Sequence, residues 1–207
     1  FEFDSIQEIQ NIDGLFLDSV SNKINSTICE VLRCTKDEIR DIVILQKGLS
    51  NILFTFVVRG ERYIFRFPGD STQFFIYRKN ECVAQKLAAK AHSDDTYVYI
   101  DETGMKISKF RENSVDLYGV YYQDVELMKR IAKKIRAFHE EGYNLPNSEE
   151  YDYDPIYQTE RLFNEASKMK GDLFKVFETE WSMMRRLQKY ADMDGVKHTM
   201  CHNDINI

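Results

Sequence analysis

The chain has 207 residues, 43% of them hydrophobic and 13% aromatic, enough apolar material for a sizeable core in one or two domains. Its formal net charge of -6, with 30% charged residues, argues against non-specific nucleic-acid binding, which needs a basic footprint. No apolar run approaches the roughly 20 residues of a membrane span, so membrane insertion is not expected, and no basic-then-apolar leader opens at Phe1.

Cys29, Cys34, Cys82 and Cys201 show no Cys-x-x-Cys spacing, and His92, His139, His198 and His202 form no zinc-like pattern with them. Scattered thiols of this kind are expected in a reduced, cytoplasmic protein without a resident metal held by cysteine. The absence of an initiator Met leads to the expectation of a piece of a longer protein. Only three prolines and nine glycines occur, so long disordered linkers are not expected.

In chain order, residues 1 to about 40 read as helical, with Ile24, Ile28, Val31 and Leu32 spaced for one helix face. Ile42-Val43-Ile44-Leu45 is a short apolar run. Ile52 to Val58 and Tyr63 to Phe67, joined by Arg59-Gly60-Glu61, predict an antiparallel hairpin. Pro68-Gly69 ends it. Asp70 with Gln73 resembles a capping box and predicts a helix to about Ala91, with Ile76, Val83 and Leu87 on its apolar stripe. Tyr97 to Ile100 and Met105 to Phe110, around Asp101-Glu102-Thr103-Gly104, predict a second hairpin. From Gln123 the chain reads as helical: Ile131, Ile135 and Phe138 share one face, as do Trp181, Met184, Leu187 and Tyr190. A small antiparallel sheet with a long helix, followed by a helical region, is an α+β arrangement with segregated layers.

Four places could carry chemistry. Gly48-Leu49-Ser50-Asn51, between two strand-like runs, could bring backbone N–H groups to a phosphate, or be a plain β-turn. The common nucleotide fingerprints, Gly-x4-Gly-Lys-Ser/Thr and Gly-x-Gly-x-x-Gly, are absent. Arg66 shares a strand face with Ile64; half-buried, it could neutralise phosphates, or it could be an edge-strand cation in solvent. Glu81, mid-helix with Arg78 and Gln85 on its side, could orient that strand cation or simply be solvated. His139 ends the Ile131 to Phe138 helix and is read as structural. His202-Asn203-Asp204 is the sharpest set. It opens as a kinase catalytic loop does, with Asp204 placed to accept a proton from a substrate hydroxyl and His202 bracing the loop. A polar loop would explain the set in isolation; its place after the sheet and helices favours the catalytic reading. Asn206 stands too close to Asp204 to be the magnesium-binding Asn, which would fall at position 209.

Taken together, Lys47 to Phe54, Tyr63 to Gly69, Arg78-Lys79-Asn80-Glu81, Lys106 to Phe110, Ile135 to His139 and Cys201-His202-Asn203-Asp204 resemble, in order, the choline/ethanolamine kinases, and most closely the bacterial choline kinases of the LicA type. The resemblance implies a protein-kinase-like two-lobed fold of the aminoglycoside-phosphotransferase branch. It divides the chain into residues 1–110, an N-terminal helical segment with an ATP-binding sheet lobe, and 111–207, the beginning of a helical lobe. It implies phosphate contacts at Gly48, Leu49, Ser50 and Asn51, phosphate binding by Arg66 held by Glu81, and an adenine-binding hinge at Ser108, Lys109 and Phe110. Asp204 becomes the base facing the hydroxyl of choline, with ATP and Mg2+ as cofactors and phosphocholine as product. The metal residues and the aromatic cage for the quaternary ammonium would fall past Ile207. The competing expectations are an ethanolamine or aminoglycoside kinase of the same fold, and a non-catalytic nucleotide-binding protein.

Overall fold

The computed structural model describes residues 2–3, 18–47, 51–69, 76–114, 123–151, 154–170, 173–195 and 198–201. The fold is α+β. Strands β1 (Glu2–Phe3), β2 (Arg40–Lys47), β3 (Asn51–Val58), β4 (Glu61–Pro68), β5 (Tyr97–Ile100) and β6 (Lys106–Lys109) form one sheet in the order β1-β2-β3-β4-β6-β5, every neighbouring pair antiparallel. The helices are α1 (Asp18–Leu32), α2 (Arg78–Lys90), α3 (Val125–Tyr143), α4 (Pro155–Lys170) and α5 (Glu178–Met193), with a short helical turn at Leu173–Val176.

Both predicted hairpins form. In the first, Val58 pairs with Glu61 across Arg59 and Gly60, and both turn residues have positive φ (53° and 82°), the twist a two-residue hairpin turn needs. Alternation along β3 and β4 then separates two faces. Phe54, Phe56 and Phe65 lie on one, fully buried with Ile107 and with Ile24 and Ile28 from α1. Cross-strand partners stack there: Phe54 on Phe65 with ring centroids 5.2 Å apart, and Phe56 on Tyr63 at 5.6 Å. The other face carries Thr55, Ile64 and Arg66. Thr55 is also buried, so β3 is covered on both sides.

Three expectations change in detail. Glu2–Phe3 is not helical; it pairs with Ile42 and Val43 as an edge strand. Helix α2 starts at Arg78, so Ile76 and Tyr77 precede it in non-helical backbone, and the Asp70–Gln73 box lies outside the described residues. His139 does not end its helix, because α3 continues to Tyr143.

By packing, the described residues fall into two compact units: one reaches Glu141 and includes Cys201, and the other is Gly142–Met200. In the second, Phe163 of α4 meets Phe177 and Trp181 at 5.7 and 5.9 Å, and the Arg185 guanidinium lies 5.4 Å from the Trp181 ring.

Candidate active site

The register of β4 sets the site. Arg66 is opposite Leu53 on β3 and Lys106 on β6, and it leaves the sheet on the face away from the phenylalanine core. There it meets α2. Arg66 Nη1 donates to Glu81 Oε1, while Nη2 and Nε donate to the Gly104 carbonyl at 2.8 and 3.3 Å. The second Glu81 oxygen accepts from Arg78 Nη1 at 2.8 Å, and Arg78 Nη2 reaches Asn51 Oδ1 at 3.5 Å. One carboxylate thus joins a strand guanidinium to a helix guanidinium.

Exposure decides how much these pairs count. The side chains of Arg66, Glu81 and Arg78 are 18%, 26% and 8% exposed, so none is an ordinary surface ion pair. Burial alone would push the Glu81 carboxyl up. Hydrogen bonds from Arg66 and Arg78, with their charges, outweigh that and hold it below the usual carboxylate range.

Gly104 is fixed here by its neighbours. It turns the β5–β6 hairpin at φ 91°, and a Cβ on it would stand 2.6 Å from Arg78 Cδ. Asp101 shapes that turn, its Oδ1 accepting from Thr103 N at 2.9 Å and Met105 N at 3.1 Å.

A second polar group lies beside the first. Lys106 Nζ donates to Gln85 Oε1 at 2.5 Å and stands 3.9 Å from Asp94 Oδ2. Gln85 Nε2 donates to that Asp94 oxygen at 2.6 Å. Burial pushes the Lys106 ammonium below the ordinary lysine value; nearby Arg66 adds to this, against the opposing pull of Asp94 and Glu81.

The structure therefore brings together Asn51, Arg66 and Glu81 among the sequence-predicted residues. Gly48, Leu49, Ser50, His202 and Asp204 lie outside the described residues. Ser108 pairs with Ile64 and Tyr97 in the sheet. The amides of Lys109 and Phe110 donate to Thr96 O and Arg62 O at 2.8 and 2.9 Å, so an adenine at this segment must be read by backbone groups other than those two N–H donors. Toward the chain end, Thr199 and Met200 pass close to Gly142: a Cβ there would stand 2.5 Å from Thr199 Oγ1.

Arg78, Gln85, Asp94, Gly104 and Lys106 belong to the site without having been predicted in it. The Arg78–Glu81 spacing, one helical turn, was a usable signal. Gly104, far from Arg66 in sequence, gave none.

The cluster suits an anion. Two guanidiniums (Arg66, Arg78) share the one Glu81 carboxylate, leaving a positive balance, while Lys106 is matched by Asp94. Arg66 also keeps N–H donors on its Nη atoms beyond those used by Glu81 and Gly104, which a phosphate oxygen can take. For a metal the fit is absent: among the described residues, no group of three His, Cys, Asp or Glu side chains could hold an ion.

The chain is similar to a solved structure of Plasmodium vivax ethanolamine kinase, with a TM-score of 0.65 and 17% identity, over 96% of this chain and 61% of that one. At that identity the likeness shows a shared fold, and the chain spans 61% of the length of that protein. No family model matches the chain, and no curated protein does.

Proposed function

We propose that this chain belongs to an ATP-dependent amino-alcohol kinase with a two-lobed, kinase-like fold, which phosphorylates the hydroxyl of choline to give phosphocholine. The observation that carries the reading is the half-buried Arg66 held by Glu81, a strand cation fixed by a helix carboxylate. Phosphoryl transfer asks the protein mainly for positioning and charge neutralisation, and this pair supplies a preorganised cation.

In this reading residues 1–110 bind nucleotide. Arg66 takes the ATP phosphates, the backbone of Gly48 to Asn51 approaches them, and Ser108 to Phe110 border the adenine. Residues 111–207 begin the acceptor side. The Asp204 carboxylate takes the proton of the choline hydroxyl, and that oxygen bonds to the γ-phosphorus. The bond from phosphorus to the bridging oxygen breaks, and ADP leaves. His202 braces the loop. Magnesium supplies charge neutralisation when bound with ATP; the described residues offer no site for it, and no step here depends on its placement.

Ethanolamine is the second acceptor to consider, because the structurally similar protein is described as an ethanolamine kinase. Assaying ADP release by the intact protein with choline, ethanolamine and an aminoglycoside separates the readings. Choline-stimulated release, lost in Asp204→Asn while ATP still binds, is the expected result. Release stimulated only by another acceptor reassigns the substrate. ATP binding without release under any acceptor makes the protein a non-catalytic nucleotide binder.

A further inference from the structure

Arg66 and Lys106 are cross-strand partners, side by side on one sheet face. Glu81 and Gln85 are one turn apart on α2, so they too share a face. The two pairs make parallel rungs between sheet and helix: Arg66 to Glu81, and Lys106 to Gln85.

The second rung is built differently from the first. Its helix end is a neutral amide, and that amide can sit only one way round. An ammonium only donates, so it takes the Gln85 oxygen; a carboxylate only accepts, so Asp94 takes the Gln85 nitrogen. Asp94 is itself fixed, its other oxygen accepting from Thr96 N and Thr96 Oγ1 at 2.8 and 2.6 Å just before β5. The helix is thereby tied to β6 and to the start of β5 without a second carboxylate on α2 that would compete with Glu81 for Arg66.

We propose that Lys106 and Gln85 are positioning residues that hold α2 in the place where Glu81 meets Arg66, and so keep Arg66 set for nucleotide phosphates. The proposal rests on the nucleotide-binding reading of Arg66 and adds residues that act on it through Glu81.

The test is titration of Mg-ATP into the intact protein. Lys106→Met and Gln85→Leu should each weaken binding about tenfold, and Lys106→Arg should stay within about threefold of the parent. In a Glu81→Gln background neither substitution should weaken binding further, because the residues act through Glu81. Loss of thermal stability with unchanged affinity would reduce the rung to a structural tie and overturn the proposal. So would a Lys106→Met loss that persists undiminished beside Glu81→Gln, since Lys106 would then act independently of that carboxylate. If Lys106→Met does not fold, Gln85→Leu alone and beside Glu81→Gln decides the matter. Arg66→Gln is the control: unchanged ATP affinity there overturns the nucleotide reading itself, whereas a loss there with none in Gln85→Leu overturns the rung alone.

Discussion

The sheet unit and the helical unit use similar apolar patterns to different ends. In the sheet unit, Phe54, Phe56, Phe65 and Ile107 meet Ile24 and Ile28 of α1, and all are fully buried. In the helical unit, Trp181 is buried, yet Leu187 and Tyr190 on the same predicted stripe are 65% and 63% exposed. A strand pinned between neighbours has its faces fixed by the pleat, so an apolar position there predicts burial well. A helix offers a stripe, and only the part that meets a partner is covered. Periodicity thus identifies α5 as a helix and says nothing of how much of its apolar face is covered.

Breaking the sheet core should have the largest effect. Phe65→Ala, which removes a fully buried ring stacked on Phe54, should cost about 3–5 kcal/mol in urea unfolding. A cost comparable to that of a surface substitution would remove the distinction between the units.

Next is the carboxylate that joins the strand to α2. Glu81→Gln should cost about 2 kcal/mol at neutral pH, because it takes charge from a hydrogen-bonded pair with Arg66 and Arg78. The Glu81 carboxyl titrates below the ordinary glutamate range in the folded protein. Its stabilisation is therefore fully present above that range and is lost as the pH falls through the depressed folded value. The gap between parent and variant should close in acid; a gap independent of pH would mean that the charge is not what matters.

Gly104→Ala should cost somewhat less, about 1–2 kcal/mol, since the new Cβ meets both a positive φ and the Arg78 side chain. Chemical denaturation measures it. The Arg78 side chain can shift to relieve part of the clash, which keeps the expected cost below that of Glu81→Gln.

The smallest effect sharpens the comparison from the other side. Leu187→Ala on the exposed stripe of α5 should change stability by less than about 0.5 kcal/mol. A larger loss in a thermal melt would show that the exposed stripe is covered in the protein in solution.

Much of the architecture was legible because its causes are local. Alternation and turn residues located both hairpins, and the order of sheet, helix and helical region gave the α+β class. The start of α2 was not legible. The Asp70–Gln73 pattern is a weak local signal, and Tyr77 at the helix entrance has extended backbone and no side-chain cap. Glu2–Phe3 was misread because pairing with Ile42 and Val43 depends on a distant strand. At the site, Arg66 and Glu81 could be proposed as partners, but each was compatible with a solvated role from its own segment.

By itself the sequence determined both hairpins with their turns, the helical character of the region from Gln123 on and which residue types could carry chemistry, because those follow from backbone preferences and near-neighbour spacing. Only the tertiary structure decided that Arg66 faces α2, that Glu81 is shared with Arg78, that Gly104 supplies the closing carbonyl and that Lys106 engages Gln85. Those pairings arise from strand register and helix placement, which bring distant residues within hydrogen-bond range, and burial then makes each pairing matter.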